Sequence, residues 1–280
     1  MIDDKQFVSM PSNPKGGESK LFPDNRERAL DLPIGFTIVY EKKLKISCNN
    51  DKSAILIGNA WQADPQKSSP EEIIQQFNTQ TTRNDVYAEE CTWCGRYVLI
   101  VNGWLYLDFC GTLGIFYSDC NICSSSYRML CEYLEEKVVY PDTLGDGLLN
   151  YVPGPLTLSK RIRRLLPSEL LNIQTGERLF RPLLPNGVIK CNSDAERIEL
   201  FAKYFVCSLQ NMAKHFNGSH FWLALTGGRD SRTLMALLER SKIPYKAFTC
   251  EHRRISEGDV TLPPRLAKAV GKEHLFIRRI

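Results

Sequence analysis

The rhythm of apolar positions changes near residue 190. Before that point, apolar runs of strand length dominate: 36–40, 44–47, 54–57, 95–101 (GRYVLIV), 104–109 (WLYLDF) and 114–118 (GIFYS), with further pieces at 170–173 and 179–181. β-branched and aromatic residues fill them, as a pleated and largely buried surface favours. Asn102-Gly103 is a hairpin signal, because both residues tolerate positive φ. Residues 95–118 are therefore expected to form one meander whose third strand runs parallel to its first. Residues 1–30 are polar and broken by Pro11, Pro14, Gly16, Gly17 and Pro23, with one short strand at 6–10. Ser69-Pro70-Glu71-Glu72 opens a helix with Ile73, Ile74 and Phe77 inward, and a second helix is expected at 127–134. Layer logic makes residues 1–185 an α+β domain built mostly of antiparallel strands.

Pro182, Pro185, Asn186 and Gly187 mark a linker, after which the period becomes helical. Ser193 and Glu196 have capping-box spacing, and Ile198, Phe201, Tyr204, Phe205, Leu209 and Met212 continue one apolar face up to Asn217-Gly218. Residues 221–225 (FWLAL) read as a strand buried on both faces. A helix at 231–240, a strand at 245–250, a helix at 263–270 closed by Gly271 and a strand pattern at 275–280 complete the series. Strand, helix, strand, helix, strand predicts a parallel, Rossmann-like α/β sheet over 193–280 with right-handed crossovers.

A length of 280 residues accommodates two such domains, and 43% hydrophobic with 24% charged residues is globular composition. No apolar run approaches about 18 residues, so no membrane segment is expected. Met1-Ile2-Asp3-Asp4-Lys5 lacks the basic start and apolar stretch of a signal peptide, which makes a cytoplasmic location the expectation. A net charge of +4, from 36 basic and 32 acidic residues, is too balanced to argue for nucleic acid as a partner, which is not expected. The run Lys160-Arg161-Ile162-Arg163-Arg164 reads as a solvated face, and His215, His220, His252 and His274 lack ligand spacing.

Ten cysteines include two pairs, Cys91-x-x-Cys94 and Cys120-x-x-Cys123. Two such knuckles suit a tetrahedral zinc site. In the expected meander, however, they fall at opposite ends of one sheet, about 20 Å apart at about 3.3 Å per residue. Four thiolates each about 2.3 Å from one ion cannot span that distance. Structural thiols are the expectation.

Leu225-Thr226-Gly227-Gly228-Arg229-Asp230-Ser231 joins the carboxyl end of a strand to a helix. Ligands of open α/β sheets bind at such ends. Two glycines allow close approach of an anion, the Thr226 and Ser231 hydroxyls can donate to phosphate oxygens, and the helix start adds N–H groups and a positive dipole end. Asp230 alone repels phosphate but suits Mg²⁺, which takes one or two carboxylates together with phosphate oxygens. A tight turn capped by Asp230 or Ser231 accounts for the same residues without a ligand.

Thr226-Gly227-Gly228-Arg229-Asp230-Ser231 resembles the PP-loop, the SGGxDS pattern of N-type ATP pyrophosphatases, with Thr retaining the first hydroxyl. Within that group the chain resembles asparagine synthetase-like proteins. Phe248-Thr249-Cys250 is similar to the family's second strand, and Asp259 with Ala267 and Gly271 to the acidic residue and helix after it. Pro263-Pro264 departs from the pattern and is expected to delay that helix, leaving Asp259 in a loop. Upstream, Asp108-Phe109-Cys110-Gly111, Phe116-Tyr117, Ser124-Ser125 and Thr157, Ile162, Leu166 and Pro167 resemble the closing part of the family's N-terminal domain.

The resemblance implies an Ntn-hydrolase-like, class II glutamine amidotransferase domain over 1–185, followed by part of a synthetase domain over 193–280. It implies ATP and Mg²⁺ as cofactors. Leu225, Thr226, Gly227, Gly228, Asp230, Ser231, Cys250 and Asp259 become the nucleotide-binding residues, with Asp230 on the metal and the Leu225 and Cys250 backbones framing adenine. It implies carbon–nitrogen ligation: a small-molecule or peptide carboxylate is activated as an acyl-adenylate with release of pyrophosphate, and an amine then displaces AMP. The amidotransferase requires Cys directly after Met1. Ile2 stands there, and Gly58-Asn59 reverses the oxyanion Asn-Gly, so loss of the glutaminase is expected. The family's second acidic motif and acceptor residues do not occur, so no catalytic residue is assigned. A continuing or second chain is expected to supply the rest of the synthetase domain. A non-catalytic nucleotide- or partner-binding remnant and a tRNA-modifying PP-loop enzyme are the alternatives.

Overall fold

The computed structural model describes residues 6–12, 27–136, 154–182, 190–251 and 255–278. Ile2, His252 and the linker from 183 to 187 lie outside these. The chain divides into two compact units, residues 1–60 with 68–187, and 61–67 with 188–280. Sheets and helices mix throughout: two antiparallel sheets in the first unit, one small parallel sheet in the second. Among the described residues, no helix is long and apolar enough to cross a membrane.

In chain order the first unit contains β1 (Phe7–Pro11), β2 (Glu27–Leu32), β3 (Phe36–Glu41), β4 (Ile46–Cys48), β5 (Ala54–Gln62), α1 (Pro70–Ile74), α2 (Arg83–Glu90), β6 (Trp93–Val101), β7 (Trp104–Leu107), β8 (Phe116–Ser118), β9 (Cys123–Ser124), α3 (Tyr127–Tyr133), β10 (Ile162–Arg164), β11 (Glu169–Asn172) and β12 (Arg178–Phe180). One six-stranded sheet has the order β10-β8-β9-β1-β3-β2, the other β12-β11-β7-β6-β5-β4.

Alternate residues of single strands fill different cores. Ile55, Ile57, Val98, Ile100, Leu105 and Leu107 meet Phe7 and Ile38 of the other sheet and Ile115 just before β8. Leu56, Tyr97, Leu99 and Tyr106 point away from that sheet, to Ile73 and Ile74 of α1 and Val86 of α2. Val8 and Met10 of β1 pack outward against Met129 and Leu130 of α3. The unit is thus layered helix, sheet, sheet, helix. This layering explains why runs such as 97–101 are continuously apolar rather than alternating: both strand faces are buried there.

The meander forms only in part. β6 and β7 pair as a hairpin in which Asn102 and Gly103 have φ of 49° and 80°, both left-handed as a two-residue turn requires. The third strand leaves the sheet: β8 pairs antiparallel with β10 and β9 of the opposite sheet, while β11 takes the place beside β7. Asp108 causes the turn. Its buried carboxylate accepts the N–H groups of Cys110, Thr112 and Leu113 and the Thr112 hydroxyl, redirecting the chain after β7. The two CxxC pairs consequently belong to different sheets. Cys91 and Cys94 flank the start of β6, and Cys123 in β9 is buried, its thiol pushed up to about 12 by desolvation. Gly58-Asn59 lies inside β5.

The second unit contains α4 (Asp194–His215), β13 (Phe221–Ala224), α5 (Arg229–Ser241), β14 (Tyr245–Glu251), α6 (Glu257–Ala269) and β15 (His274–Arg278). Ser193 caps α4 by accepting the Glu196 N–H, whereas the Glu196 carboxylate reaches the Asn192 N–H, so the box is offset by one residue. Residues 61–67 belong here: Trp61 donates to Ser208 Oγ at 2.9 Å and meets Phe216 edge-on.

Strand order β13-β14-β15 is parallel and sequential. α5 and α6 pack on the same face of this sheet. Leu223, Leu225, Tyr245 and Ala247 are buried there together with Leu209 of α4, Leu238 of α5 and Ala267 of α6. β13 is therefore not buried on both faces. Trp222 is 48% exposed, and Ala224 also faces solvent.

The helix expected at 263–270 begins six residues earlier, at Glu257, and Pro263 and Pro264 sit inside it. Ser256 caps the first turn by accepting the Asp259 N–H, and Ala267 anchors the last turns in the core. Together these hold the helix across the N–H groups that the prolines lack.

Candidate functional site

Buried Leu225 ends the β13 side of the sheet, its N–H donated to the Phe248 carbonyl at 2.8 Å. Its carbonyl accepts the Thr249 hydroxyl at 2.7 Å, and that hydroxyl lies 2.9 Å from His274 Nε2. These bonds tie the carboxyl end of β13 to β14, and β14 to the first residue of β15. Partial burial holds the His274 imidazole below its usual range. Cys250, one residue beyond Thr249, is exposed.

The loop is braced from within. The Thr226 N–H donates to Ser231 Oγ at 3.1 Å, the two hydroxyls lie 3.0 Å apart, and the Gly228 N–H donates to Thr226 Oγ1 at 3.1 Å. The hydroxyls expected to face phosphate therefore also shape the turn. α5 starts at Gly228, which has no side-chain cap. The amides of the first helical turn, Arg229, Asp230 and Ser231, are thus presented at the positive end of the helix. Asp230 is exposed on that turn.

Asp259 is not in a loop. It occupies the third position of α6, where one carboxylate oxygen accepts the Gly227 N–H at 2.6 Å and the other accepts the Ser256 hydroxyl at 2.9 Å. Gly227 eases this close approach. A Cβ there would stand 3.0 Å from the Gly258 carbonyl oxygen and 3.1 Å from its carbon.

The structure therefore brings Thr226, Gly227, Gly228, Asp230, Ser231 and Asp259 to one corner, with Leu225 behind the loop and Cys250 at the neighbouring strand end. Sequence reasoning named Thr249 and His274 without giving either a role at the site, and it missed Ser256 and Gly258. The Ser256-x-x-Asp259 spacing is a helix-start signal, obscured by the prolines that follow it.

Among the described residues, no group of three or more His, Cys, Asp or Glu side chains is placed to hold a metal ion. An ion at the loop would rest on Asp230 and on oxygens brought by the ligand, which matches how Mg²⁺ binds.

In class, the chain is a two-unit mixed α/β protein with an uncapped strand-to-helix loop at the carboxyl end of a parallel sheet. No family model matches the chain, and no curated protein matches its sequence.

Proposed function

We propose that the loop from Thr226 to Ser231 is a PP-loop that binds Mg-ATP, and that the protein is an asparagine synthetase-like carbon–nitrogen ligase. In this reading the second unit is a Rossmann-like ATP pyrophosphatase domain. The first is an Ntn-hydrolase-like amidotransferase domain. The observation carrying the proposal is the start of α5: an SGGxDS-like sequence at the carboxyl end of a parallel strand, opening a helix whose first-turn amides have no side-chain cap. The helix, sheet, sheet, helix layering of the first unit supports the companion assignment.

The first-turn amides of α5 would hold the β- and γ-phosphates, and the Thr226 and Ser231 hydroxyls would orient the turn. Asp230 would hold Mg²⁺, which when bound draws charge from the phosphate oxygens. The exposed strand end at Cys250 would lie along adenine. The substrate to be activated is a carboxylate, and the acceptor an amine.

Calorimetric titration of ATP with and without Mg²⁺ tests the reading. Wild type should bind, with an affinity that rises with Mg²⁺. Asp230→Ala should lose the Mg²⁺-dependent part. Equal binding by both proteins would remove the basis of the assignment.

A further inference from the structure

We infer that Asp259 is a positioning residue for the loop, acting through the Gly227 amide, and is not itself a nucleotide ligand. The inference deepens the Mg-ATP reading and rests on it for its functional part. Three observations carry it. The Gly227 N–H is already engaged: it donates to Asp259 Oδ1 at 2.6 Å, the range of charge-assisted bonds. The loop backbone lies so close to the first turn of α6 that a Cβ on Gly227 would stand 3.0 Å from the Gly258 carbonyl oxygen, tighter than an ordinary contact. The second carboxylate oxygen is also taken, by the Ser256 hydroxyl, and the Asp259 N–H returns to Ser256 Oγ at 3.1 Å.

Both carboxylate oxygens thus have donors before any ligand arrives. Their charge is further balanced by the amino end of α6. A carboxylate so compensated is poorly placed to collect a cation and repels phosphate less than a bare one. What it does is fix the peptide plane between Thr226 and Gly227. That plane sets where Gly228 starts α5, and hence where the Arg229, Asp230 and Ser231 amides point. The Gly227 amide, turned toward α6, drops out of the set available to an anion. Binding donors held in place beforehand cost less to order when the ligand arrives.

The experiment uses the whole chain with Asp259→Ala and Asp259→Asn, folding being checked by circular dichroism. Asparagine keeps a carbonyl oxygen for the Gly227 N–H while removing the charge. In the ligand-free protein, the Gly227 amide proton of the wild type should resonate downfield, move upfield in Asp259→Ala, and stay near its place in Asp259→Asn. Mg-ATP affinity should fall about tenfold in Asp259→Ala, the effect of losing one charge-assisted hydrogen bond. It should recover to within about threefold of wild type in Asp259→Asn, because the acceptor oxygen is retained. An Asp259→Ala protein that binds Mg-ATP as tightly as wild type, or more tightly, overturns the inference, as does an unmoved Gly227 signal. Loss of affinity in both variants alike would make Asp259 a direct charge partner and equally overturn it. If wild type binds no Mg-ATP while the Gly227 signal shifts as expected, the nucleotide reading fails and the Asp259–Gly227 hold stands.

Discussion

Arg181 Nη2 stands 2.7 Å from Glu90 Oε1, and both side chains are almost wholly removed from solvent. Their approach is off the hydrogen-bond direction, so neither Glu90 oxygen accepts a directed bond. The guanidinium instead donates from Nη1 to the Leu107 carbonyl at 2.6 Å and lies 4.2 Å over the Phe109 ring. Desolvation pushes the Glu90 carboxyl up to about 8, and the neighbouring Arg181 only partly offsets it.

That shift gives the first unit a pH dependence. Glu90 holds its proton more tightly folded than unfolded, where it titrates near 4.5. Its favourable contribution is complete below the unfolded value and is lost as pH rises toward the folded one. Urea denaturation should show wild type weakening between about pH 5 and about pH 8, the window set by those two values. Glu90→Gln, which cannot titrate, should be flatter over the same window. A Glu90→Gln curve as steep as the wild-type curve would assign the dependence to another group.

Arg181→Met should destabilise the first unit by about 3 kcal/mol, since it removes one partner of a buried pair together with the bond to Leu107. Adding Glu90→Gln to Arg181→Met should restore part of the loss, because it replaces a carboxyl that has lost its neighbouring cation. Denaturation midpoints of the single and double variants measure the coupling. A strictly additive pair would mean that the two groups do not interact.

Two glycines separate backbone strain from collision. Gly35 has φ of 76°, and a Cβ added there would meet nothing within 4 Å, so Gly35→Ala should cost only about 1 kcal/mol of left-handed strain. Gly95 has φ of 137°, and a Cβ there would lie 2.2 Å from the Asn59 carbonyl oxygen in β5. Gly95→Ala should therefore cost more than about 4 kcal/mol or prevent folding. Similar melting temperatures for the two variants would contradict the close approach of β5 and β6.

Thiol labelling reports on both units. Cys110, Cys120 and Cys250 are exposed and should alkylate first, whereas buried Cys123, with its thiol pushed up to about 12, should react only on unfolding. If nucleotide lies along the β14 strand end, Mg-ATP should slow labelling of Cys250 and leave Cys110 and Cys120 unchanged. Mass spectrometry of timed samples distinguishes the sites, and protection spread evenly over all three would argue against a local effect.

Local signals were legible wherever the physical cause is local. Ser69 caps α1 in a reciprocal box with Glu72, and Asn102-Gly103 turns β6 into β7, as their sequence patterns require. β-α-β-α-β order was legible in the second unit because buried strands and amphipathic helices alternate cleanly there. α2, β2 and β10 were not foreseen. β10, three residues long with Arg163 and Arg164 exposed, has too short an apolar pattern to announce itself.

The candidate site divides in the same way. Thr226 to Ser231 could be read from the chain because a strand end, two glycines and a helix start are contiguous. The Asp259 contact spans 32 residues, and no spacing rule relates Gly227 to a carboxylate on another helix.

By itself, then, the sequence determined most of the longer elements, several of their capping and turn residues, and the loop that joins β13 to α5, since each depends on neighbours within a few positions. Tertiary structure alone decided that β8 crosses to the other sheet, that α6 runs through two prolines, that Trp222 faces solvent and that Asp259 grips the loop. In each case the deciding partner is distant in sequence: β10 for β8, the helix-side core for α6, same-side crossovers for Trp222, and Gly227 for Asp259. Pairing and packing free energies of that kind overrule local preference, and they exist only once the chain has folded.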